Sequence, residues 1–237
     1  MRSTDTTNWI RVGLFALPLY GVLTFWSSLD PQPDPNTDYE AWARFVTADH
    51  YVLTHVLGGI LGLVLSIFGT FALGAYLTRS RAGRLGLVAM VITIFGSALF
   101  LPAMGVSAFS APEEGQAYLA GIEGLTDLPT SSADIAFAAT SLLMVVLLFV
   151  GNVLLGVAVW RSGILPKWAG ALWAGAAVLM YPLGLVYAAT IGSQSTPPTV
   201  PVGALLLMVG GGWIALRAMR QPSTQEGVGV GARPRVK

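Results

Sequence analysis

The chain has no cysteine in 237 residues. That removes disulfides, thiolate nucleophiles, Fe–S clusters and cysteine-ligated zinc together. Charge is also scarce. Charged residues make up 11% of the chain against 54% hydrophobic, and the net charge is +1. A soluble domain carries roughly twice that charged fraction to cover its surface. The near-neutral balance leaves no basic field for nucleic acid. Lysine occurs only at Lys167 and Lys237, so no apolar segment offers a central amine for a retinal Schiff base. The P-loop, G-x-S-x-G and H-E-x-x-H patterns are absent. No apolar segment carries the arginine series of a voltage sensor.

What the chain has in quantity is apolar length. Mean hydropathy is +0.67. Uncharged runs of roughly 20 residues recur, the length that crosses a hydrocarbon core of about 30 Å. They predict an all-α membrane protein, a bundle of six transmembrane helices. The spans are expected at about 9–28, 50–77, 85–108, 134–160, 168–190 and 200–217, within residues 1–220. Arg2, Arg11 and the run that follows resemble a signal peptide, but no small-x-small site follows Phe25-Trp26-Ser27-Ser28, so the run reads as an uncleaved first span. Residues 221–237, rich in Gly, Gln, Ser, Pro and Arg, read as a disordered tail.

The connections alternate in charge. Arg79, Arg81, Arg84, Arg161, Lys167, Arg217 and Arg220 fall on one side of a six-span arrangement, with Arg2 and Arg11. By the positive-inside rule that side, with both termini, is cytoplasmic. Arg44 alone breaks the pattern. The other side collects Asp30, Asp34, Asp38, Glu40, Asp49, Glu113, Glu114, Glu123, Asp127 and Asp134. Trp9, Trp26, Trp42, Trp160, Trp168 and Trp213 stand near span ends as interfacial anchors. Tyr39, Trp42, Phe45 and Val46 alternate with Asp38, Glu40 and Arg44 at helical spacing, which predicts a short outer amphipathic helix. Ala117, Tyr118, Ile122 and Leu125 give a weaker second one, interrupted by Gly121 and Gly124.

An internal match is visible. Gly69-Thr-Phe-Ala-Leu-Gly74 leads to Arg79-Ser80, and Gly151-Asn-Val-Leu-Leu-Gly156 leads to Arg161-Ser162. Each is followed by a basic residue, Arg84 or Lys167. Each span begins with an Ala-Asp pair, at Asp49 or Asp134, where the carboxylate suits a helix N-terminus. The pattern predicts a parallel helical-hairpin repeat in which spans two and three correspond to spans four and five. The turn Arg161-Ser162-Gly163-Ile164-Leu165-Pro166-Lys167-Trp168-Ala169-Gly170 resembles turns of uncharacterised bacterial multi-pass membrane proteins of the domain-of-unknown-function kind. So does a histidine-bearing second span joined to an acidic outer loop. The resemblance implies topology and bacterial origin, and with them the bacterial inner membrane as the location, and carries no activity.

Candidate chemistry centres on His55. At about 100° per residue, Tyr51, Gly58, Gly59, Gly62, Ser66, Gly69 and Thr70 fall within about 60° of it, and small residues mark the face that meets other helices. The ring would lie roughly 6–9 Å inside the outer start of the helix. An ionisable group there is either a ligand or proton site or a neutral hydrogen-bonding post. His50 does not join it, because five residues separate the two rings by about 140°, whereas a helical metal pair needs spacing four. Opposed histidine ligation of haem fails for the same reason. A histidine–methionine pair using Met104 or Met180 is the weaker arrangement left, and neither metal nor cofactor is assigned. Asp134, Glu113 and Glu114 are the candidate carboxylate partners of His55. Asn152 is the one amide deep in a span, suited to an interhelical hydrogen bond and paired by the repeat with Thr70. Pro18, Pro102 and Pro182 should kink their spans, and Tyr181 and Tyr187 should face the space so opened.

The functional expectation is an outward-facing cavity, lined by His55, Tyr51, Asp134, Glu113, Glu114, Asn152 and Tyr181, that holds a small apolar or amphipathic molecule or lipid. The alternatives are an enzyme at the outer leaflet using His55 and an acidic residue as base and acid, and an accessory subunit of a larger membrane complex. Beyond the lipid bilayer, the expected partners are that small ligand and another membrane protein or a second copy of the chain, with no nucleic acid. Reporter fusions after Arg84, Gly121 and Gln221 should report cytoplasm, exterior and cytoplasm; an exterior C-terminus overturns the orientation.

Overall fold

The computed structural model describes residues 3–122, 131–191 and 196–221, and those residues are helical with short connections and contain no strand. Among the described residues six helices are long and apolar enough to cross a membrane: Asn8–Ser27, Asp49–Leu77, Gly83–Leu119, Ser132–Ser162, Lys167–Thr190 and Thr199–Met219. They are numbered spans one to six here. Each packs against its neighbours in the chain, and span six packs against span one, so the bundle is a closed up-and-down ring. Alternation of direction puts Arg11, Arg81, Arg84, Arg161, Lys167 and Arg217 at one end, the basic end. Asp30, Asp49, Glu113, Glu114 and Asp134 lie at the other, the acidic end.

Helices in lipid gain little from hiding apolar surface, so their association depends on close packing between backbones. Every seam of the ring has a glycine at the contact. A Cβ on Gly69 would sit 3.0 Å from the Leu17 backbone nitrogen of span one, and one on Gly21 would sit 2.6 Å from the Met208 nitrogen of span six. Gly74 faces Met90, Gly151 faces Thr93, Gly156 faces Gly170 and Ala174, and Gly203 faces Met180. In the basic half of the ring the axis is filled by Leu14, Leu17, Leu73, Leu77, Leu155, Val159, Trp173 and Ile214. Outward faces carry Phe68, Phe71, Val91, Phe95, Leu142 and Leu216, all exposed.

The two turns at the basic end are built alike. Ser80 Oγ donates to Leu77 O at 2.8 Å and accepts from Ala82 N at 3.1 Å. Ser162 Oγ donates to Val159 O at 2.8 Å and accepts from Ile164 N at 3.3 Å. The turns also touch, through Arg81 Nε donating to Arg161 O at 2.7 Å. Gly163 closes span four at φ +74°, a left-handed position that favours glycine. Gln221 belongs to this end rather than to a free tail. Its side chain accepts from the Tyr76 hydroxyl and donates to Ile164 O, both at 2.6 Å. Residues 222–237 lie outside the described residues.

At the acidic end Tyr39–Val46 forms the expected amphipathic helix, with Asp38 accepting from Ala41 N at 2.9 Å as its N-cap. It lies on Ala111–Leu119, the outer end of span three. This differs from the expectation: the second outer helix is Ala111–Leu119, continuous with span three, and Gly121 follows it at φ +78°. The helix runs on through Pro112, so Glu113 and Glu114 stand on the exposed outer continuation of span three. Leu125, Glu123 and Asp127 are outside the described residues. Trp42 is 6% exposed, buried between these outer helices instead of anchoring at the lipid boundary. Tyr39 packs against Tyr118, ring centroids 4.6 Å apart, and donates to Glu114 at 2.5 Å. Burial, and then this carboxylate, hold the Tyr39 phenol above its ordinary pKa.

The prolines act unequally. Pro18 has no N–H for the carbonyl of Leu14, and span one turns at Leu14–Phe15. Pro182 likewise interrupts span five, at Tyr181. Around Pro102 the helix continues without a break, and the irregularity follows as a π-helical stretch, Val106–Ser110.

The seams predict a position-specific response. Gly156→Leu should cost about 1–3 kcal/mol through overpacking, while Gly105→Leu, whose Cβ meets nothing within 4 Å, should stay within about 0.5 kcal/mol. Thermal unfolding of the two variants in detergent checks this, and equal melting temperatures would refute the role given to the glycine seams.

Candidate functional site

Span two does not remain α-helical. Residues His55–Leu61 form a π-helix, with one extra residue per turn, between Asp49–Thr54 and Gly62–Leu77. Such insertions leave backbone groups displaced and recur at functional positions. The other π-helical stretch, Val106–Ser110 of span three, lies against it. Tyr51 joins the two: its hydroxyl donates to Ser107 O at 3.1 Å. Its ring stacks on His55 with centroids 3.9 Å apart and planes 30° apart. Phe45 of the outer helix meets both Tyr51 and His50 edge-on, at 5.7 and 6.0 Å.

The small-residue face expected from the sequence is present: Tyr51, Gly58, Gly62, Ser66, Gly69 and Thr70 are buried. His55 sits with this face, half-buried. Its Nδ1 lies 3.0 Å from Tyr51 O, and a carbonyl only accepts, so Nδ1 carries the proton of that bond. Nε2 has no hydrogen-bond partner among the described residues.

In the acidic half the ring axis is open. A cavity of 330 Å³ receives side chains from all six spans. One wall is polar: Tyr20, Thr24 and Ser27 of span one with Ser28 just after it, Thr54 and His55 of span two, Tyr181 of span five, and Thr196. The other is apolar and includes Leu63, Phe100, Met104, Met144, Leu148 and Met180. Tyr20 and Tyr181 interact through their hydroxyls, and Tyr20 also engages Thr24. Tyr181 reaches the cavity because Pro182 breaks span five beside it. Three methionines give the apolar wall flexible, polarisable packing.

The residues singled out from the sequence are distributed unevenly around this cavity. His55 and Tyr181 line it. Tyr51 stands behind His55 as its support. Asn152 accepts from Trp173 Nε1 at 3.0 Å and donates to Leu148 O at 2.8 Å, which spends it on the seam between spans four and five. Thr70, its repeat counterpart, has no partner for its hydroxyl among the described residues. Asp134 is exposed in a capping box with Ser131, accepting from Ser131 N at 2.8 Å. Glu113 is exposed, and Glu114 binds Tyr39. None of these carboxylates lines the cavity: Asp134 caps its own helix, and Glu113 and Glu114 stand on the exposed outer end of span three. Asp49 stands in the first turn of its helix and makes no side-chain cap. His50 pairs with Asp30 at 2.8 Å on the exposed surface. Among the described residues no three potential metal-ligating carboxylates or histidines come together.

Sequence reading missed Tyr20, Thr24 and Ser27. They form a polar stripe at i, i+4 and i+7 along an otherwise apolar span, a signal that periodicity can detect. Trp173 was also missed, because a buried indole deep in a span looks like any other apolar residue until its N–H finds a carbonyl oxygen. Comparison of the chain with family models, with curated proteins and with solved structures found no match.

Because Asn152 and Trp173 serve a seam, Asn152→Leu and Trp173→Phe should each lower stability. A double-mutant cycle should give a coupling of about 1 kcal/mol, the size of an interhelical hydrogen bond in membranes. Additive losses would mean that the two act independently.

Proposed function

We propose that this is an integral membrane protein that binds a small apolar or amphipathic molecule, or the chain of a lipid, in the cavity of the acidic half. The observation that carries the reading is the convergence of His55, Tyr20 and Tyr181, from three separate spans, on one largely apolar space. Ligand sites have this character: mostly apolar walls with a few placed polar groups, in volumes of about 300–1,000 Å³. At 330 Å³ the cavity suits a small molecule or a single acyl segment. The free Nε2 of His55 and the tyrosine hydroxyls orient its polar end.

By the positive-inside rule the basic end is cytoplasmic, so the cavity opens toward the exterior face of a bacterial inner membrane. The two hairpins are a parallel duplication. Three pairings support this: Gly69 and Gly151 each pack on the preceding span, Gly74 and Gly156 each pack on the following one, and Ser80 and Ser162 build matching turns. The cavity lies among both hairpins and the two flanking spans. Binding is favoured over outer-leaflet acid–base chemistry because the polar partners around His55 are hydroxyls and a backbone carbonyl rather than a carboxylate.

The test is retention of a copurified molecule, read by native mass spectrometry. His55→Ala and Tyr181→Phe should each reduce occupancy by about tenfold or less per lost hydrogen bond, and His50→Ala should leave it unchanged. Equal occupancy in His55→Ala and His50→Ala defeats the proposal.

A further inference from the structure

The basic end holds a second concavity, unrelated to the cavity of the acidic half. It has a volume of 790 Å³ and lies between the two arginine-bearing turns, where span three begins and span four ends. Arg81, Arg84, Arg161 and Lys167 line it together with Ser80 and Trp160. Among the described residues none of these four cations has a carboxylate partner; the Arg44–Glu40 ion pair lies at the acidic end. Arg81 spends its Nε on a backbone carbonyl, which fixes the guanidinium and leaves its charge uncompensated. Spans three and five both start here, at Gly83 and Lys167, and neither has a side-chain cap. Four positive charges and two positive helix ends therefore face one space.

We propose that this concavity binds the phosphate headgroup of an anionic phospholipid. Phosphate is the anion that matches clustered guanidinium groups and open helix N-termini. Two further observations assign it to lipid. Trp160 and Trp168 meet edge-on, with centroids 5.5 Å apart, and are 39% and 67% exposed, as indoles at headgroup depth are. Below them an exposed apolar strip continues from the pocket along the two spans, with Leu87, Val91 and Phe95 at four-residue spacing on one and Val157 on the other. An acyl chain lying on that strip places its phosphate among the cations. Basic pockets between transmembrane helices take anionic headgroups in this way.

The experiment uses the full chain in neutral detergent. Phosphatidylglycerol, phosphatidylcholine with the same acyl chains, and inorganic phosphate are each titrated, with binding read by native mass spectrometry and by melting temperature. Phosphatidylglycerol should bind and stabilise; phosphatidylcholine and inorganic phosphate should do so weakly. Each removed cation should weaken phosphatidylglycerol roughly fivefold, so Arg84→Gln loses about fivefold and Arg84→Gln with Lys167→Gln roughly 25-fold. Arg44→Gln, at the opposite end, should bind as the unaltered protein does. Lipid-free melting temperatures of the variants should match the unaltered protein, because these side chains are exposed. Equal binding of the two lipids, or a double variant that folds and binds phosphatidylglycerol normally, overturns the proposal. Stabilisation by inorganic phosphate equal to that by phosphatidylglycerol overturns the lipid assignment.

Discussion

Close approach of helix backbones at glycine is the interaction on which this structure depends. Lipid tails are as apolar as leucine, so burying leucine does not by itself bring two spans together. Dispersion contacts and weak backbone interactions do, and they require the axes to come near. A glycine stands at all six seams, and where an ideal Cβ is placed it meets backbone or Cβ atoms of the next helix. The ring closes because span six meets span one in the same way, with Gly21 against Met208 and Gly211 against Leu17. Asn152 and Trp173 add one directional bond to a seam that glycine has already brought close.

The same constraint explains where the bundle opens. In the basic half, large side chains fill the axis. In the acidic half, spans two and three each change to π-helix and span five breaks at Tyr181, so the regular approach cannot continue. Backbone irregularity is tolerated within the membrane only where protein or a polar cavity satisfies the displaced groups. Ser107 O accepts from Tyr51, and Tyr51 O accepts from His55. The irregular stretches thus set the support of His55 as well as the space in front of it.

Charge divides the molecule into two ends with different chemistry. At the acidic end carboxylates are engaged in local structure: Asp38 and Asp134 in helix caps, Glu40 with Arg44, Asp30 with His50 and Glu114 with Tyr39. At the basic end the cations of the pocket have no carboxylate partner among the described residues. The surface cations therefore remain available to an anion, while the polar wall of the cavity is built from neutral hydroxyls and one imidazole.

Span number, the alternation of basic and acidic connections, the buried face of span two and the outer amphipathic helix were legible in the sequence, because length, charge and periodicity are properties of the chain itself. His55 was legible as a bundle-facing residue, since the small residues on its face announce a helix contact. Its partners were not. A wheel drawn for an α-helix cannot foresee a π-helical turn, and carboxylates that look available in a loop are consumed by caps a few residues away. Tyr20 and Tyr181 come from spans one and five, whose adjacency to span two across the cavity depends on how the ring closes. Which spans touch is decided by shape at each seam, and shape is not periodic. The sequence by itself determined that six helices of this polarity would form; only the tertiary structure decided which faces met, and hence that one histidine, two tyrosines and three methionines share a single space.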